Sequence, residues 1–90
     1  MIAEGPCQCP CCDYYALKGR GRHEICPVCW WEDDGSDLGA LDAVSDANHI
    51  SLRQARRNFE RLGAADSAAV SLVPPASALD GLRRELRAAT

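Results

Sequence analysis

"CPCCDYYALKGRGRHEICPVC", residues 9 to 29, decides the fold of this chain. It holds two C-x-x-C pairs, Cys9 with Cys12 and Cys26 with Cys29, with thirteen residues between them. Each pair makes a tight turn that aims two sulfurs at one point. A return of that length brings the second turn opposite the first. The expected product is a closed tetrahedral site of four thiolates, which suits Zn²⁺, with Fe as the rarer occupant. Cys9, Cys12, Cys26 and Cys29 are therefore the expected metal ligands, and the metal's role is structural.

The length of the chain explains the need for such a staple. Ninety residues make one small domain that is marginal on hydrophobic burial alone. All six cysteines lie before residue 30, so the staple holds the first third and the rest packs against it. "MIAEGPCQC" has neither a basic start nor an apolar run, and no stretch approaches the ~20 apolar residues of a membrane span. The expectation is a cytoplasmic protein with no membrane association. In that reducing compartment this cysteine spacing favours metal over disulfides.

Around the knuckles, "YYAL" (14–17) and "HEI" (23–25) read as the two strands of a hairpin, turned by "KGRGR" (18–22). Residues 32 to 48 read as a loop. Ser51 and Gln54 match a capping box, Leu52, Ala55, Phe59 and Leu62 follow at helical spacing, and Gly63 stands at the stop. Arg53, Arg56, Arg57 and Glu60 are expected to face outward. A short strand is expected at Val70–Val73 before Pro74 and Pro75. Ser77 then caps a last helix with Leu79, Leu82 and Leu86 on one stripe. The fold class is thus a small α+β metal-stapled domain, with zinc-ribbon or rubredoxin-like knuckles and a β-hairpin followed by two helices. Residues 1–75 form the ribbon domain with its capped helix 51–62, and residues 76–90 form the C-terminal helix.

"CPCCDYYAL", "HEICPVCWWEDDG" and "SLRQARRNFERLGA" together resemble the small bacterial proteins of the cysteine-rich CPCC family, from about Cys9 to Pro75. The resemblance implies a zinc-ribbon fold and supplies no activity. Asp13 departs from the pattern, standing where the family has glycine after the knuckle, so the turn there must tolerate Asp.

Two further thiols, Cys7 and Cys11, are spare. They read as a tail thiol and a small side chain on the knuckle surface, or else as the reactive thiol of a redox protein. A thioredoxin-like role for Cys26 and Cys29 needs a helix N-terminus in a βαβ setting, which the upstream hairpin does not provide. His49 and the acidic loop offer no convincing second catalytic centre, and the four-sulfur site has no open position, so the chain is not expected to be an enzyme.

Charge is unevenly spread. The net charge is −3, and seven acidic residues lie from Glu24 to Asp46 without one Lys or Arg. Four arginines follow between Arg53 and Arg61. The leading expectation is a non-catalytic zinc-binding module that mediates protein–protein interaction through Trp30, Trp31, Glu32, Asp33, Asp34 and Asp37. Its unidentified partner would be a basic enzyme, such as a toxin for which this chain is the inhibitor or immunity protein. Packing of the tryptophans and solvation of the acidic loop, or its pairing with Arg53, Arg56 or Arg57, are the competing structural roles. The alternative function is nucleic-acid binding by Lys18, Arg20 and Arg22 at the hairpin tip with Arg53, Arg56, Arg57 and Arg61 on the helix, which the acidic balance disfavours.

Overall fold

Both cysteine pairs close the same backbone turn. In the computed structural model, which describes residues 6–88, Asp13 N donates to Cys9 O at 3.0 Å and Trp30 N to Cys26 O at 2.9 Å. The first cysteine of each pair then donates across the turn, Cys9 N to Tyr14 O and Cys26 N to Trp31 O, both at 2.9 Å. Reversing the chain so quickly puts the residue after each pair at positive φ, 68° for Asp13 and 69° for Trp30. That region costs an L-residue about 1–2 kcal/mol. Asp tolerates it through its short polar side chain; Trp does not, and is held there by the knuckle.

Each knuckle is the tip of its own hairpin. Strand β1 (Cys7–Gln8) pairs antiparallel with β2 (Tyr15–Leu17) around the first. Around the second, His23 N donates to Asp33 O, Asp33 N to Glu24 O, and Ile25 bridges Glu32. The expected pairing of 14–17 with 23–25 is therefore not formed. The turn bonds already set 7–8 beside 14–17 and 23–25 beside 31–33, and closing those short loops costs less entropy than closing one long one. Residues 18–22 link the two hairpins, with Gly21 at φ 71° directing its N–H to the Asp33 carboxylate. Cys7 is consequently a half-buried strand residue rather than a tail thiol.

Helix α1 (Leu52–Leu62) forms where its periodicity places it. Ser51 Oγ accepts from Gln54 N at 3.1 Å, but the Gln54 side chain turns to Asn58, so only half of the capping box exists. Gly63 ends the helix at φ 76°, its N–H donating to Phe59 O. Leu52 and Ala55 are buried against Leu17, Val28, Trp31 and the cysteines, with Phe59 partly buried at the edge, while Leu62 is exposed. Asn58 Nδ2 donates to Ala65 O and Ala65 N to Cys29 O, which ties the helix end to the second knuckle.

The second helix is absent from the described residues. A 3₁₀ turn (Ala76–Leu79) starts from Pro75, without a Ser77 cap, and residues 80–88 run as a strap across the first knuckle. Leu82 and Leu86 are exposed, so no apolar stripe is buried. Another 3₁₀ turn (Ser67–Ala69) occupies the region next to the strand expected at Val70–Val73. The strap prevails because its polar groups find partners: Tyr15 N donates to Arg83 O, Glu85 N to Asp13 O, and Tyr14 bridges Arg84. Residues 1–5 of the expected ribbon domain and 89–90 of the expected helix lie outside the described residues.

Asp13 joins these parts. Its carboxylate is buried and takes a forked pair of bonds from Arg56, both 2.9 Å, and two more from the Arg87 side chain and backbone, both 2.9 Å. Arg56 thus turns inward, against the expectation of an outward face. Burial alone would raise the Asp13 carboxyl, but the bonds from Arg56 and Arg87 outweigh it and hold it below the usual carboxylate range. A depressed folded-state pKa contributes stability above the unfolded value near ~4, lost as pH falls through the folded value. Asp13→Ala should cost about 3 kcal/mol at neutral pH in urea unfolding, since it leaves two guanidiniums facing no carboxylate. The gap from wild type should narrow on acidification below pH ~4. A constant gap down to the acid limit would assign the loss to backbone conformation instead.

Candidate metal centre

The four sulfurs of Cys9, Cys12, Cys26 and Cys29 lie within 4.8 Å of one another. Cys9 Sγ is 3.7 Å from Cys29 Sγ, and Cys12 Sγ is 3.9 Å from Cys26 Sγ. A tetrahedral ion with metal–sulfur bonds of ~2.3 Å has sulfur–sulfur edges of ~3.8 Å, whereas a disulfide needs ~2.05 Å. The donor set therefore fits a metal ion, and no disulfide joins the six cysteines. All four residues are at most 1 % exposed, so the cluster presents no face to water.

Ionising all four thiols together would call for a cation between them. As bare thiols the group supports charge unevenly: the bond from Cys12, with others from Cys29 and Cys9, pulls Cys26 down, while the same Cys12–Cys26 bond pushes Cys12 up. Four thiolates at these separations repel strongly without a divalent ion between them. Val28 N, 3.4 Å from Cys26 Sγ, adds one backbone donor.

A second layer of charge comes from arginine. Arg56 donates to Pro10 O, Arg84 Nε to Cys12 O at 2.9 Å, and Arg87 Nη2 to Cys9 O at 3.0 Å. Three guanidiniums from α1 and the strap thus grip the carbonyls of the first knuckle. The one sign of this in the sequence is the Asp at a glycine position.

The remaining expected site residues divide. Trp31 is fully buried, and its Nε1 has no partner among the described residues. Trp30 is 39 % exposed, with Nε1 donating to Leu72 O at 3.1 Å. Asp33 is buried and takes Gly21 N and Arg20 Nε. Glu32 meets His23 Nδ1 at 2.9 Å, Asp34 accepts from Ser45 Oγ at 2.6 Å, and exposed Asp37 caps the turn Leu38–Ala40 and lies near Arg20. Asn48, which holds both Glu32 N and Glu32 O, and Ser45 are structural residues that the sequence reading missed. Loop and helix do pair, through Arg53 with Asp42. Trp31 and Asp33 are out of a partner's reach, and the acidic loop is a bonded structure rather than a solvated one.

Cys11 is also buried, not on the knuckle surface. A bond with Cys29 favours its thiolate, but burial and the charges of Cys9 and Cys26 prevail and raise it. Elemental analysis should give one metal ion per chain, and alkylation of the loaded protein should label Cys7 well before Cys11. Cys26→Ser should abolish stoichiometric binding, and Cys11→Ala should leave it intact. A loss of metal in Cys11→Ala would redraw the ligand set.

No curated protein and no solved structure matches the chain. The family model described as "Cysteine-rich CPCC" matches residues 7–79, which contain both knuckles and α1. The chain belongs to the cysteine-rich CPCC family.

Proposed function

We propose that the chain is a non-catalytic, zinc-stapled module that presents a surface to a protein partner. The observation that carries this reading is the enclosure of all four sulfurs. A closed four-thiolate set suits Zn²⁺ and leaves no position for a reacting water, so the ion supplies folding energy, on the scale of about 10–16 kcal/mol in small zinc domains. The partner surface centres on Trp30. Its ring is anchored through Leu72 O yet stays accessible beside Leu72, itself 55 % exposed. A rigid, half-exposed tryptophan in a strained backbone position is the kind of anchor that dominates interfaces. Glu32 and Asp37 are what remains of the expected acidic face, which favours a basic partner. The nucleic-acid reading is weakened because Arg20 and Arg56 are committed to Asp33 and Asp13.

Capture on the immobilised, metal-loaded chain, read by mass spectrometry, tests the module. Trp30→Ala should weaken the captured partner by about 2 kcal/mol or more at unchanged metal content, and Asp80→Asn, at an exposed residue outside the expected acidic face, should not. Equal recovery by wild type and Trp30→Ala would end this assignment of the surface.

A further inference from the structure

A cavity of about 230 Å³ lies between α1 and the first knuckle. Arg53, Arg56, Arg57 and Arg84 line it, against the carboxylates of Asp13 and Glu60. Including Arg87 on Asp13 and Asp42 on Arg53, five guanidiniums meet three carboxylates. The cavity is therefore net positive in a chain that is net negative.

Most of these cations are fixed before any ligand arrives. Arg56 is locked on Asp13 and two carbonyls, and Arg53 forks onto Asp42. Arg84 is fastened through Nε to Cys12 O and lies over the rings of Tyr14, at 4.9 Å, and Phe59, at 5.3 Å. Its terminal nitrogens make no hydrogen bond among the described residues. The nearest carboxylate oxygen, on Glu60, is 3.9 Å away, beyond hydrogen-bond range. Arg57 is exposed and has no hydrogen-bond or ion-pair partner among the described residues. Two forks thus stand with unused donors at the cavity, one rigid and one able to close.

We propose that this cavity is an oxyanion site that takes the phosphoryl group of a small molecule, bound by Arg84 and Arg57. Planar guanidinium forks match phosphoryl oxygens two at a time, and a stacked arginine loses little freedom in doing so. The space, about 230 Å³, admits a diphosphate-sized group.

The probe is inorganic pyrophosphate, titrated into the metal-loaded full chain by calorimetry, with arginine Nε–H chemical shifts followed in parallel. Saturable one-to-one binding is expected. Arg57→Gln should weaken it about tenfold, and Glu60→Gln should tighten it about threefold by removing a repelling carboxylate. Arg61→Gln, on the same helix but outside the cavity, should change nothing. Arg57 and Glu60 are both exposed, and the Glu60 variant decides the matter alone should the Arg57 variant lose metal. Three results would overturn the site: no saturation at millimolar pyrophosphate, equal weakening by the Arg57 and Arg61 variants, or displacement by single-stranded oligonucleotides whose affinity grows with length.

Discussion

Four sulfurs less than 4.8 Å apart, sealed from water, are the constraint on which the rest of this structure depends. A core of this size has few large apolar side chains to bury, and here the cysteines are themselves the centre of it, flanked by Leu17, Trp31 and Leu52. Placing charge-bearing sulfur where leucine would otherwise sit is unfavourable unless a cation accompanies it. The candidate metal centre and the core are therefore one object: the knuckles bring the sulfurs together, and the helix packs on them.

Arginine extends the same logic outward. The first knuckle points its carbonyls away from the sulfurs, and Arg56, Arg84 and Arg87 satisfy Pro10, Cys12 and Cys9 in turn. Asp13 gives two of those cations a common anchor and fixes their geometry. Among the described residues no arginine grips the carbonyls of the second knuckle in this way. Its turn is closed by backbone bonds and by the Asn48 bridge to Glu32, so two turns of the same backbone form are supported by different chemistry.

Much of this was legible in the sequence, and the reasons for the remainder are physical. The convergence of Cys9, Cys12, Cys26 and Cys29 followed from the two C-x-x-C spacings because each knuckle turn is local. Helix α1 followed from its period, Ser51 and Gly63, which are local too. The strand pairing was missed because 14–17 and 23–25 are both β-like, and nothing in their composition says which neighbour each will take. The C-terminal strap was missed because leucines at three- and four-residue spacing favour a helix unless distant acceptors compete. Those acceptors, the carbonyls of residues 9–13, lie more than seventy positions away. The acidic run read as a surface because charge count alone cannot reveal that Asp33 lies beneath Arg20 and Gly21.

The strap has a consequence for how the protein comes into being. Arg87 contacts Cys9 O across 78 positions of chain. At ribosomal speeds of ~5–20 residues per second, about 4 to 16 seconds separate the synthesis of the two. Through that interval the first knuckle lacks Arg87, and for most of it Arg84, which later cover two of its carbonyls. Each molecule therefore passes through a stage in which its first knuckle is less covered than it will be, and the cover is completed only once residues 84 to 87 have been made.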